Sequence, residues 1–320
     1  MYGLSDLKTK IKRNSNSVEC PVKGCSVIVE RQKKSFKRNL NNLCPIHKIY
    51  ISPSTYEYET EQQNLLWFDN LDKQRFEDIK KFKRESRIAR DNSEDALTWN
   101  VMRFLEKQGL IKNFLSHLSN KEINDAELIL WSYSPKEKSN WKLLNQARVI
   151  FGETIEKGSE PDIIIKTDKV LYFIEAKLKA NNKTKPSDPQ NKKKYETGGN
   201  NLFPQIFKSD YDTIAVKEKR FELMRFWLLG SWIANQLNVS FEFYSLVIDS
   251  KEKNIESEFG KHINETENRK YSRITWEQIY GYIGTLKDNT EKQKMIDYFE
   301  NKTIGFNTSG RIIKAFNIVK

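Results

Sequence analysis

Two carboxylates and an ammonium stand at the ends of apolar runs, where a buried segment normally tolerates no charge. Asp162 opens the run Ile163-Ile164-Ile165, and Glu175 and Lys177 close the run Val170-Leu171-Tyr172-Phe173-Ile174. The two runs read as neighbouring strands turning at Asp168-Lys169. If Thr167 pairs with Val170, the same register sets Asp162 opposite Glu175, and cross-strand partners share a face at roughly 4.5–5.5 Å. Side chains alternate with a period of two, so Lys177 returns to that face while Ala176 points away and keeps the far face small. Two carboxylates so close repel each other unless a divalent cation lies between them, and oxygen-only ligands favour magnesium.

An acid-x-Lys triplet alone carries little weight in a chain with 31% charged residues. Asp6-Leu7-Lys8, Asp78-Ile79-Lys80, Asp249-Ser250-Lys251 and Glu300-Asn301-Lys302 also fit it. Of these, only Asp249-Ser250-Lys251 follows a run that reads as a strand, and no Pro-Asp strand precedes it at hairpin distance. With Pro161-Asp162 in front of Glu175-Ala176-Lys177, the central third of the chain resembles the PD-(D/E)XK nuclease superfamily. The resemblance implies a restriction-endonuclease-like α/β fold, a mixed sheet flanked by helices. It also implies Asp162 and Glu175 as magnesium ligands, with the Ala176 carbonyl as a further one. Lys177 is then the residue that positions or deprotonates the attacking water. The competing reading of the same residues is a salt bridge closing an ordinary hairpin, which contributes little to stability.

A helix is predicted ahead of the hairpin, over residues 94–108, with Ser93 capping its start and Gly109 ending it. Glu94 shares a stripe with Leu97, Val101 and Leu105, which aims its carboxylate along the core-facing side of the first turn. Many members of the superfamily keep a glutamate on the helix before the sheet, so the resemblance implies a catalytic role for Glu94. A favourable interaction with the helix N-terminus explains an acid there equally well.

All three cysteines of the chain, and one of its three histidines, fall near the N-terminus. Cys20 and Cys25 flank a Pro- and Gly-containing loop, and Cys44 and His47 flank Pro45-Ile46, with 18 residues between the pairs. That set suits a tetrahedral zinc ion held by three thiolates and one imidazole; disulfides leave one cysteine over. Four protein ligands leave no open position for substrate, so such a zinc is structural. His117 and His262 have no Cys or His neighbours in sequence and read as ordinary polar residues.

Residues 1–50 carry eleven Lys or Arg against three Asp or Glu, which accounts for +8 of the formal net charge of +12. Arg31, Lys33, Lys34, Lys37 and Arg38 lie in the spacer between the ligand pairs. They are the candidates for nucleic-acid phosphates, against the alternative of a solvated basic face. The expected organisation is a basic zinc-binding module over 1–50, a helical linker over 51–90 and a catalytic domain over 91–320. Further strands are expected at Ala126 to Tyr133, Ala147 to Phe151 and Phe241 to Ile248. Helices are expected at Phe76 to Arg90, at Phe221 to Leu237, and after the capping boxes beginning at Thr275 and Thr290. Residues 180–201, rich in Lys, Asn, Pro and Gly, read as a mobile loop or a disordered insertion, with Gln205 beginning a helix after them. Phe221 to Leu237 is too short and too charged to span a bilayer, and no Gly-rich phosphate loop is present.

The resemblance implies a magnesium-dependent endodeoxyribonuclease of restriction or defence type. Its expected partner is double-stranded DNA, with a homodimer left open and no membrane involved, and its expected setting is the cytoplasm of a prokaryotic cell. A repair or recombination nuclease that reads DNA structure, and a non-cleaving binder on the same fold, remain as alternatives.

Overall fold

The computed structural model describes residues 1–32, 36, 38–83 and 86–318. The chain divides into two compact units and contributes to each more than once. The first holds Met1–Phe68, Arg87–Phe104 and Trp276–Lys320, and the second holds Asp69–Ser86 and Leu105–Thr275.

The first unit opens with β1 (Ser17–Glu19), β2 (Ile28–Glu30), β3 (Leu43–Cys44), β4 (Ile49–Ile51) and β5 (Tyr56–Tyr58). The second opens with α1 (Asn70–Lys80), and α2 (Glu94–Lys107) starts in the first unit and ends in the second. There follow α3 (Ile111–Ser119), β6 (Ala126–Leu130), β7 (Tyr133–Ser134), β8 (Ser139–Asn140), α4 (Lys142–Ile150), β9 (Ile163–Thr167) and β10 (Val170–Ala176). The second unit ends with α5 (Lys193–Asn201), α6 (Phe203–Ile206), α7 (Phe221–Leu237), β11 (Ser240–Val247), α8 (Ile255–Gly260) and β12 (Arg269–Thr275). The first unit resumes with α9 (Trp276–Gly284), α10 (Thr290–Asn301), β13 (Thr303–Phe306) and β14 (Ile312–Lys314). No helix among the described residues is long and apolar enough to cross a membrane.

The second unit is built on a seven-stranded sheet in the order β12-β11-β10-β9-β6-β7-β8. Its β10–β11 and β11–β12 pairs are parallel, and β9 runs antiparallel to both β10 and β6, so the sheet is mixed. Every residue of β10 is buried, as expected for a central strand covered on both faces. On one face Leu171, Phe173, Phe241, Phe243 and Ile164 pack under α4 and α7. There a Cβ on Gly230 of α7 would stand 2.1 Å from the Phe241 ring, so only glycine lets the helix approach so closely. On the other face the Tyr172 hydroxyl meets Ser119 of α3 at 3.0 Å. The protein is thus a mixed α/β structure whose sheet is flanked by helices, as the sequence predicts.

Some local expectations shift. Ala147 to Phe151 lies at the end of a helix, α4, and is not a strand. Leu144, Ala147 and Phe151 are buried at helical spacing while Val149 and Ile150 are 60% and 46% exposed, so the 3.6-residue period overrides the β-branched run. The expected strand from Ala126 ends at Leu130, where Trp131 and Ser132 take φ of 46° and 72° and turn the chain into β7. The charged helix before residue 90 begins earlier, at Asn70, capped by Asp69. Asn289, and not Thr290, caps α10. Residues 180–201 contain α5, broken at Gly198–Asn200, and Thr184 bridges in parallel to Arg220 at the start of α7.

Candidate functional site

In the first unit, Gly24 takes a left-handed φ of 74° and the Cys25 N–H bonds to the Val22 carbonyl, closing the first cysteine loop. Lys48 N–H bonds to the Cys44 carbonyl and closes the second. The loops bring Cys20, Cys25, Cys44 and His47 together with their ligand atoms all within 4.8 Å of one another. The Cys25 and Cys44 sulfurs lie 3.8 Å apart, and His47 Nδ1 lies 3.6 Å from the Cys20 sulfur and 3.5 Å from that of Cys44. Bond lengths of about 2.3 Å to sulfur and 2.0–2.1 Å to nitrogen, spread tetrahedrally, demand separations of about 3.8 and 3.6 Å. The donor set therefore fits zinc, and all three thiols are free of disulfides. The cysteines belong to the apolar core of their unit, beside Val18, Ile49, Tyr56 and Phe306. Burial pushes the Cys20 thiol up, so a cation must displace its proton to bind.

In the second unit, the hairpin has the expected register. Leu171 pairs with Lys166 and Ile174 with Ile163, and one further step places Asp162 opposite Glu175. Asp162 Oδ2 accepts the Ala176 N–H at 2.9 Å, which fixes the carboxylate at the strand end. The Lys177 N–H continues the parallel ladder to the Leu246 carbonyl at 2.7 Å. Glu175 is 3% exposed, and its Oε1 pairs with the Lys177 ammonium. Its Oε2 is buried with no hydrogen-bond partner. Burial, and then the charge of Asp162, push the Glu175 carboxyl well above the usual carboxylate range, and Lys177 opposes them.

Glu222, in the first turn of α7, places Oε2 3.2 Å from the Lys177 ammonium. The sequence shows this residue only as a charge interrupting an apolar helix. The structure makes it the second carboxylate paired with Lys177, and its N–H bonds to the Thr184 hydroxyl at 2.8 Å. Close to Asp162 in sequence, Glu160 lies 3.6 Å from Lys83, whose ammonium sits over the Trp131 ring.

Each remaining candidate has its own local setting. Glu94 is half-buried in the first turn of α2, in the unit that holds the cysteines, with Ser93 capping the helix through the Ala96 N–H. Arg38 is braced against Glu57 at 2.6 Å and against the Glu59 and Tyr58 carbonyls, and Arg31 bonds to the Asn14 carbonyl at 2.6 Å. Lys33, Lys34 and Lys37 lie outside the described residues. Gln205 is exposed within α6 and donates to the Asn201 carbonyl. His262 is buried, with Nδ1 2.8 Å from the Ser209 hydroxyl.

No protein-family model matches the chain, and neither a curated protein nor a solved structure does.

Proposed function

We propose that the protein is a metal-dependent endonuclease that hydrolyses DNA phosphodiester bonds, of restriction or defence type, with a structural zinc at Cys20, Cys25, Cys44 and His47. The observation that carries the reading is the buried Glu175 oxygen without a partner, at a hairpin end where Asp162 stands opposite. Two carboxylates with one oxygen unsatisfied fit a hard divalent cation better than they fit a closed ion pair. Asp162 and Glu175 hold magnesium in this reading, as the resemblance to PD-(D/E)XK nucleases implies. When bound, the ion lowers the pKa of a coordinated water and polarises the phosphoryl oxygen.

The chain's own residues have separate tasks. Ala176 holds the Asp162 carboxylate through its N–H, so the ligand is oriented before substrate arrives. Lys177 orients the attacking water and offsets charge developing on the phosphate. Its place between Glu175 and Glu222 keeps the ammonium aimed at the carboxylates until substrate arrives. The formal charge of +12 supports a polyanionic substrate.

The test is incubation with linear duplex, branched and single-stranded DNA, with and without magnesium. Asp162→Ala and Lys177→Ala are expected to abolish cutting while one zinc per chain is retained. Discrete fragments from duplex DNA support a restriction role, and cutting confined to branches supports repair. A second reading, binding without cleavage, is favoured by the hydrogen bond that already occupies Asp162 Oδ2. It predicts no cutting on any of these substrates.

A further inference from the structure

The described basic residues of the 31–38 spacer are tied to Glu57 and to backbone carbonyls, yet the first unit presents cations elsewhere. Lys8, Lys10, Lys12 and Arg13 line a groove of about 670 Å³ together with Glu19 and Thr308. Its walls are fixed. Lys8 donates to Glu19 at 2.8 Å and to the Cys25 carbonyl at 2.5 Å, and Arg13 donates to the carbonyls of Pro53 and Thr308. Glu19 also accepts the Lys12 N–H at 2.9 Å and immediately precedes Cys20, so the groove and the zinc ligands share one scaffold.

Lys10 and Lys12 are exposed, as is Arg311, which stands directly across from Lys10 in an antiparallel bridge. Like charges placed opposite one another on paired strands are destabilising. Among the described residues none of the three forms an ion pair with a carboxylate. Glu19, the carboxylate that lines the groove, is paired with Lys8, and an arrangement that holds further cations together on fixed walls is complementary to a linear polyanion.

We infer that this groove, through Lys10 and Lys12 and with Arg311 beside it across the bridge from Lys10, binds the sugar-phosphate backbone of a nucleic acid. The choice of nucleic acid among polyanions rests on the nuclease reading; the charge geometry does not. Contacts of this kind give affinity and register without reading sequence.

The experiment follows binding of a labelled DNA duplex by anisotropy, with the zinc-loaded full chain and no added magnesium. Each phosphate neutralised by the protein contributes about 0.9 to the slope of log affinity against log salt. Removing three such cations, in the Lys10→Ala, Lys12→Ala, Arg311→Ala variant, makes the slope shallower by about 2.7. Between about 50 and 200 mM salt, the unchanged protein should therefore lose about 40-fold more affinity than the variant. The Lys10→Arg, Lys12→Arg protein should keep the full slope, and zinc content should not change in either. An unaltered slope in the triple-alanine variant overturns the proposal. So does a preference for anionic phospholipid vesicles over DNA that the same substitutions abolish. Cleavage with an unaltered slope sinks the groove and leaves the nuclease reading standing. A shallower slope in the variant of a protein that cuts no DNA keeps the groove and sinks the nuclease reading.

Discussion

Glu175→Gln should make the magnesium-free protein more stable at neutral pH while destroying the proposed cleavage. Burial and the Asp162 charge disfavour the Glu175 anion, and Lys177 compensates only in part. The folded pKa thus lies above the ordinary value of 4.5. For a group raised in this way, its contribution to stability is fully present below the unfolded pKa and is lost as pH rises through the folded one. Across that window each unit of pH removes about 1.4 kcal/mol. Glutamine is nearly isosteric and carries no charge, so its stability should not follow that slope. Urea unfolding from about pH 5 to pH 8 should show the two proteins diverging as pH rises, in the direction that favours the variant. Excess magnesium should narrow the gap, because an ion bound to the native carboxylates stabilises only the unsubstituted protein. Parallel pH profiles, with magnesium without effect on either protein, would refute both the buried charge and its role as a ligand.

Three further substitutions have definite expected outcomes. Cys44→Ser should lose the proposed zinc by elemental analysis and unfold the first unit's core by near-UV circular dichroism, because Cys44 is itself a core residue. Glu222→Gln leaves Lys177 with one carboxylate fewer and should lower kcat by about tenfold or more, with zinc content unchanged. Gly230→Ala drives a methyl into the Phe241 ring and should cost about 1–3 kcal/mol in urea unfolding.

The hairpin was legible in the sequence because strand alternation and turn length together leave one register, which carries Asp162 to Glu175 as predicted. The grouping of Cys20, Cys25, Cys44 and His47 was legible because thiols are scarce and cluster in sequence. Glu222 was not, since 45 residues separate it from Lys177 and only the packing of α7 on the sheet joins them. The helical end of α4 was hidden by local β-propensity in Val149 and Ile150, which turn out to be surface residues. The groove cations were equally hidden, because Arg311 meets Lys10 across 301 positions of chain. Composition locates positive charge in a segment but cannot say which side chains are braced by carbonyls and which reach solvent.

Phe306 packs in the same core as Cys20, Cys25 and Cys44. The cysteine ligands leave the ribosome well before that ring exists. At about 5–20 residues per second, the roughly 260 residues between His47 and Phe306 take about 13–50 s to synthesise. Throughout that interval the thiols lack their finished hydrophobic wall, so early capture of metal by the nascent chain competes with oxidation. The first 50 residues expressed alone should therefore not reproduce the native cluster, because Phe306 is missing from its wall.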